Sequence, residues 1–248
     1  MKLKETFSTI PLQYDKVRPD YPPTLFQDIL NYSQLSKSDP ILEIGIGTGK
    51  ATLPFAKHGN PIIANDISRE LIGVAKNKLK NYKKIKYVVG QFEKIILQKN
   101  KFGLIYSAQT FHWIKPNIQF TKTHSLLRQD GVLALFWNLN YYDQGIGKWA
   151  LKLNKKYSSA KKGKTRSIIQ QFKRHRLFKD AIIKEYRREI GMSKINYIKM
   201  QTSHSWYLVL SDKRKQLAMI DLQKALIHYP KIIKMPIKTI LVMAKKNK

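Results

Sequence analysis

Residues 41–50 read ILEIGIGTGK: an apolar run, an acid at Glu43, glycines at 45, 47 and 49, and a lysine at 50. Alternate glycines let a backbone approach a ligand closely, because no Cβ stands in the way. A dinucleotide fingerprint needs a small residue at its sixth position, so that helix and strand pack behind the pyrophosphate; Lys50 stands there. A Walker-type phosphate loop needs glycine five residues before the Gly-Lys pair and Ser or Thr after it; those positions hold Ile44 and Ala51. S-adenosylmethionine remains, since its amino-acid half and ribose carry no phosphate. Glu43 suits the ammonium side of that ligand, directly or through the loop. Asp66, 21 residues past Gly45, has the spacing of an acid that takes both ribose hydroxyls. A carboxylate on a diol makes charge-assisted hydrogen bonds, stronger than neutral ones.

Such a loop works at the carboxyl end of a strand in a parallel sheet. Strand patterns occur at 40–45, 61–66, 85–89, 102–107 and 131–137, each short and rich in Ile, Val, Leu or aromatics, as strands buried on both faces are. Helical patterns near 49–58, 69–80 and 117–128 alternate with them. The second has Ser68 at its N-cap and Leu71, Ile72, Ala75 and Leu79 on one face. Strands alternating with helices imply right-handed crossovers and a doubly covered parallel sheet, a Rossmann-type α/β fold. Beyond Asn138, residues 145–158 and 165–178 read as basic amphipathic helices, 181–190 as a strand, 193–203 and 212–228 as helices, and 237–244 as a strand. The two late strands complete the sheet, and the helices between them are expected to cap its carboxyl edge, where Thr6–Tyr21 should also pack. This gives a cofactor-binding core over 1–138, with an N-terminal lid segment, and a basic helical cap plus final strands over 139–248, within one overall domain.

A chain of 248 residues, 43% hydrophobic, can bury a substantial core. The absence of cysteine excludes disulfides and thiolate metal sites. The start, MKLKETFSTIPLQYDK, has no apolar signal core, and no run approaches the ~18 apolar residues of a membrane span; a cytoplasmic location is expected. No His/Asp/Glu spacing suggests a metal, and no glycine-serine elbow suggests a hydrolase. The net charge of +31 is uneven, about +10 over 1–140 and about +21 over 141–248, with eleven Lys/Arg and no acid from Lys152 to Lys179. Lysine predominates over arginine and few aromatics are interleaved, the composition of a solvated face, although a surface this basic attracts polyanions in general.

Several segments, in order, resemble the class I S-adenosylmethionine-dependent methyltransferases, in the small-molecule branch with trans-aconitate methyltransferase-like enzymes. They are YDKVRPDYP at 14–22, EIGIGTGK at 43–50, NDIS at 65–68, LIYSAQTFHWI at 104–114 and LLRQDGVLALFWN at 126–138. The similarity runs from about Phe7 to Lys245, and IKTILVMAKK at 237–246 looks like the family's last strand. The resemblance implies a Rossmann-like class I fold, with a seven-stranded, mostly parallel sheet, helices on both faces and a helical cap. It also implies a cofactor loop of Glu43, Gly45, Gly47 and Gly49, and a ribose held at Asp66 with Ile67 beside it. Gln91 would meet the adenine amino group where the family often has Asp, Phe92 would flank the adenine plane, and Ser107 would sit beside the sulfonium.

Methyl transfer from a sulfonium is an in-line displacement, in which the protein aligns the groups and excludes water. Aromatic faces favour the cation; Tyr14, Phe111, Trp113 and Trp137 are candidates from the matching segments. Phe111-His112-Trp113 should line the acceptor pocket, with His112 and Trp113 as catalytic candidates. His112 would be a general base for a hydroxyl or amine, or a positioning donor for a carboxylate, which needs no base. Arg18 could clamp an anionic acceptor bidentately. The leading expectation is methyl transfer to a small, anionic molecule. One alternative is an RNA or DNA methyltransferase using Lys161, Lys162 and Lys164. Against it, Ser-Ala-Gln-Thr at 107–110 replaces the Asn/Asp-Pro-Pro-aromatic tetrapeptide of many base-amino methyltransferases. The other is a non-catalytic polyanion-binding protein, which the intact Glu43, loop glycines and Asp66 argue against.

Overall fold

The computed structural model describes residues 15–140, 145–157 and 164–248; Tyr14, Lys161 and Lys162 lie outside the described residues. Four strands match the expected pattern closely, β1 (Ile41–Ile44), β2 (Ile62–Asp66), β3 (Ile85–Val89) and β4 (Phe102–Ala108), and a fifth, β5 (Leu127–Asn140), is longer than expected at both ends. Two more, β6 (Phe178–Ser193) and β7 (Ile232–Lys246), complete a seven-stranded sheet of order β3-β2-β1-β4-β5-β7-β6. β1 pairs in parallel with β2 and β4, β2 with β3, and β4 with β5. Strand order therefore reverses between β1 and β4, which opens a crevice at their carboxyl ends.

The helices are α1 (Pro23–Ser33), α2 (Thr52–His58), α3 (Arg69–Lys78), α4 (Pro116–Leu126), α5 (Gly145–Tyr157), α6 (Lys164–Lys173), α7 (Lys194–Thr202), α8 (Ser205–Leu208) and α9 (Asp212–Leu226). Ser68 caps α3 as its sequence implies, its hydroxyl accepting from the Leu71 amide at 3.1 Å. Ser68→Ala is expected to lower stability by about 1 kcal/mol in denaturant unfolding, because one amide loses its partner. The sequence reading contains no counterpart of α1. Its Pro22-Pro23 start reads as a break, yet proline at the first helical position is pre-set for the helix, and Leu25, Phe26 and Ile29 bury one face.

The chain forms two compact units. The larger comprises Asp20–Trp137, Gly163–Tyr186 and Thr239–Lys248. Its core joins Leu25, Phe26 and Ile29 of α1 and Phe55 of α2 to Ile41, Leu104, Tyr106, Val132, Phe136 and Leu241 of the sheet. The smaller comprises Met1–Pro19, Asn138–Lys162 and Arg187–Lys238. It has its own core, which includes Val17, Leu153, Tyr157, Tyr197, Trp206, Ala218 and Leu222.

β5 starts earlier than the sequence suggests. Phe102 faces Leu127 while Leu104 already faces Val132, so residues 128–131 bulge out of register. Asp130 turns left-handed (φ 56°), and a Cβ on Gly131 would stand 2.8 Å from the Phe102 carbonyl, which restricts that position to glycine. Among the described residues no helix is long and apolar enough to cross a membrane, and no group of three or more His, Asp or Glu could hold a metal ion.

Candidate functional site

The loop between β1 and α2 and the end of β2 are tied together by backbone bonds. The amides of Gly45 and Ile46 donate to the Asn65 carbonyl at 2.7 and 2.9 Å. Gly45, Gly47 and Gly49 all have positive φ, but their missing side chains serve different ends. A Cβ on Gly45 would stand 2.5 Å from Thr110, and one on Gly49 would stand 2.9 Å from Leu79; these two glycines admit neighbouring protein. A Cβ on Gly47 would meet nothing within 4 Å, so Gly47 alone faces open space. Close packing inside the chain thus takes two of the three loop glycines.

This difference separates two substitutions. Gly45→Ala should lower the unfolding free energy by several kcal/mol, from left-handed strain and the Thr110 clash together. Gly47→Ala should cost the fold only about 1–2 kcal/mol of backbone strain, while weakening ligand binding strongly. Thermal unfolding alongside calorimetric titration distinguishes the two.

Asp66 ends β2. Its carboxylate accepts from the Gly47 amide at 2.9 Å and the Ser68 amide at 3.0 Å, which links the glycine loop to the start of α3. Burial pushes its pKa up, and amide bonds from Ser68, Gly47 and Ile67 pull it back. Asn65 beside it is buried, and its side-chain amide donates to the carbonyls of Val88 and Gly90, which binds the carboxyl ends of β2 and β3 together. Asn65 carries no signal of its own in the sequence beyond its place in NDIS.

Glu43 is fully buried. Its Oε2 accepts from Thr52 Oγ1 at 2.6 Å and Tyr106 Oη at 2.8 Å, whereas Oε1 is buried with no hydrogen-bond partner among the described residues. Burial pushes its pKa up to about 8, although the two hydroxyls oppose the shift. Nothing local in the sequence marks Thr52 or Tyr106 as a hydroxyl that meets this acid, 9 and 63 residues away.

The remaining candidates divide. Gln91 turns the chain after β3, its carbonyl accepting from the amides of Lys94 and Ile95. Phe92 is 3% exposed, and the Lys122 ammonium lies 5.0 Å from its ring centre. Lys122 also donates to the carbonyls of Phe92 and Ile95 at 2.7 and 2.6 Å, so an α4 lysine fastens the 91–95 turn. Ser107 is fully buried, and its hydroxyl donates to the Ile44 carbonyl, which locks β1 to β4. Phe111 is likewise fully buried and packs on Phe120 at 5.4 Å, in the core beneath the loop after β4.

His112 and Trp113 stand in the short 3-10 turn Phe111–Trp113, with their rings 4.8 Å apart. Gln109 sets the turn's direction through a left-handed backbone (φ 62°), its amide donating to the Phe136 carbonyl. Trp137 is buried at the end of the sheet, and its indole Nε1–H donates to His112 Nδ1 at 3.4 Å. Arg18 belongs to the smaller unit. There its guanidinium donates to His204 Nε2 at 2.9 Å and the Ser203 carbonyl at 3.0 Å, and burial with the Arg18 charge drives the His204 pKa down to about 3.

Residues 42–135 match the methyltransferase domain family. Over these residues the chain is similar to S-adenosylmethionine-dependent methyltransferases. An uncharacterized methyltransferase of Schizosaccharomyces pombe is 33% identical to it over 135 residues, covering 54% of this chain and 53% of that one. The probable S-adenosylmethionine-dependent methyltransferase CRG1 of Saccharomyces cerevisiae is 30% identical over 128 residues, covering 50% and 43%. The chain thus matches about half the length of these relatives. Among solved structures, phosphoethanolamine N-methyltransferase 2 of Haemonchus contortus, in complex with S-adenosyl-L-methionine, superposes with a TM-score of 0.61 at 13% identity, covering 100% of this chain and 60% of that one. At that identity the likeness concerns the fold.

The residues of the matching domain fit S-adenosylmethionine on three counts. Gly47 leaves open space where a side chain would fill the loop. The Asp66 carboxylate is held in place by amides of the two segments that flank it. The buried Glu43 Oε1 has no hydrogen-bond partner among the described residues and so leaves a polar atom for a ligand group.

Proposed function

We propose that this methyltransferase esterifies a small, anionic acceptor by transferring a methyl group to a carboxylate oxygen. The supporting observation is the bond from Trp137 to His112. An indole N–H can only donate, so His112 Nδ1 is the nitrogen with the lone pair, and the proton of the neutral ring sits on Nε2. In that tautomer His112 is a donor at Nε2 and has no second lone pair to act as a base. A carboxylate needs no base, only alignment, and an N–H aimed at one of its oxygens supplies it.

S-adenosylmethionine, when bound, supplies an electrophilic methyl group on a sulfonium. The chain's part is binding and orientation. Asp66 and the glycine loop hold the nucleoside side, Ser107 keeps the ends of β1 and β4 in register, and the 3-10 turn presents His112 and Trp113. The basic helices 145–157 and 164–173 raise the local concentration of any anion.

Radiolabelled methyl transfer to panels of small carboxylic acids, alcohols and amines, and to RNA, tests the reading. The expected product is a base-labile methyl ester; label on nitrogen or in RNA contradicts it. Trp137→Phe releases His112 Nδ1 and lets the tautomer exchange. The expected outcome is a drop of roughly tenfold in kcat with cofactor affinity unchanged.

A further inference from the structure

The helix α9 has two apolar faces, and the fold uses one. Ala218, Leu222, Ala225 and Leu226 are buried in the core of the smaller unit. Nearly opposite them runs a second stripe at helical spacing: Lys213, Leu217, Ile220, Lys224 and Ile227. Leu217 is 50% exposed, Ile220 45% and Ile227 64%. Lys194 donates from its ammonium to the Ile227 carbonyl and from its amide to the Lys231 carbonyl. These bonds hold the first turn of α7 against the end of α9 and the start of β7, where Ile195 and Ile232 also stand more than half exposed.

The surroundings are basic. Residues 187–238 carry eleven Lys/Arg against three acids. Each of those acids already has a lysine: Glu189 has Lys234, Asp212 has Lys215, and Asp221 has Lys156. The segment thus has a net positive balance, and Lys213 and Lys224 lie in the same exposed stripe as the apolar side chains; no helix among the described residues is long and apolar enough to span a membrane.

We propose that this face docks on an anionic lipid bilayer, with Leu217, Ile220 and Ile227 entering the boundary between headgroups and acyl chains and the lysines meeting acidic headgroups. The pattern is that of an interfacial helix, an apolar face beside lysines. Exposed branched aliphatic side chains at the centre of the patch gain nothing from a phosphate backbone, which argues against nucleic acid. Two copies of a chain carrying +31 repel each other, which argues against self-association through this face.

The test is co-sedimentation of the intact chain with two kinds of vesicle: pure phosphatidylcholine, and phosphatidylcholine with about one third phosphatidylglycerol. The expected result is binding to the acidic vesicles only, weakened by salt. Leu217→Ser/Ile220→Ser/Ile227→Ser leaves the charge untouched and should weaken partitioning at least about tenfold, with S-adenosylhomocysteine affinity and thermal midpoint unchanged. Lys213→Gln/Lys224→Gln should weaken it as well. Four results would overturn the proposal: no sedimentation with either vesicle, equal binding to both, undiminished binding of the triple variant, or a parent dimer in the ultracentrifuge that the triple variant abolishes.

Discussion

Asp66→Ala is expected to lower affinity for S-adenosylmethionine and S-adenosylhomocysteine by at least about 100-fold, or ~3 kcal/mol. The residue has two jobs. In the proposed reading its carboxylate accepts from the ribose diol, and its bonds to the Gly47 and Ser68 amides hold the glycine loop and the start of α3 at fixed separation. Asp66→Asn separates the two jobs: it retains an acceptor for one amide and gives up the charge. Its affinity should fall between those of the parent and the alanine variant, with a thermal midpoint close to the parent's. If Asp66→Ala bound the cofactor as the parent does, the site would lie elsewhere in the molecule.

The second large effect concerns Glu43 and pH. Burial raises its folded-state pKa to about 8, above the ordinary carboxyl value of 4.5. A raised pKa means that the folded state binds the proton more tightly than the unfolded chain does. The stability Glu43 contributes is therefore fully present below pH 4.5 and declines as pH rises toward about 8. Its share of the slope approaches ~1.4 kcal/mol per pH unit within that window. Glu43→Gln cannot ionise, so urea unfolding at a series of pH values should show that part of the slope removed. The glutamine variant should gain on the parent steadily from pH 5 to pH 8. Glu43→Leu differs, because it strands the hydroxyls of Thr52 and Tyr106 in the core; it should be destabilised at every pH by about 2–4 kcal/mol. Parallel curves for the parent and Glu43→Gln would contradict the assignment of a neutral acid in the core.

The parts of the molecule legible in its sequence are those encoded by local pattern. β1 to β4 appear as short apolar runs closed by turn residues, and α3 announces itself through Ser68 and a stripe of four apolar side chains. Helix α1 was hidden because Pro22-Pro23 looks like an interruption, and the burial of Leu25, Phe26 and Ile29 that holds it comes from partners on the sheet. The early start of β5 was hidden for a related reason: QDG at 129–131 reads as a turn before a strand, whereas the sheet absorbs it as a bulge.

The site divides along the same line. Glu43, the glycine loop and Asp66 could be found because their spacing reflects one β-α-β unit. The surroundings of Glu43 could not, since Thr52 and Tyr106 reach it through the fold. Phe92 and Phe111 sit in matching segments, but aromatic identity does not tell a ring that faces a ligand from one in a core, and the structure buries both. Lys122 was one of many lysines in the sequence; only the fold shows three carbonyls converging on its ammonium.

The most direct test is a calorimetric titration of S-adenosylhomocysteine into the intact chain. Saturable binding at one site per chain is expected, lost in Asp66→Ala and in Gly47→Ala while both variants remain folded. Absence of binding to the intact, folded protein, at ligand concentrations up to about 1 mM, would contradict it.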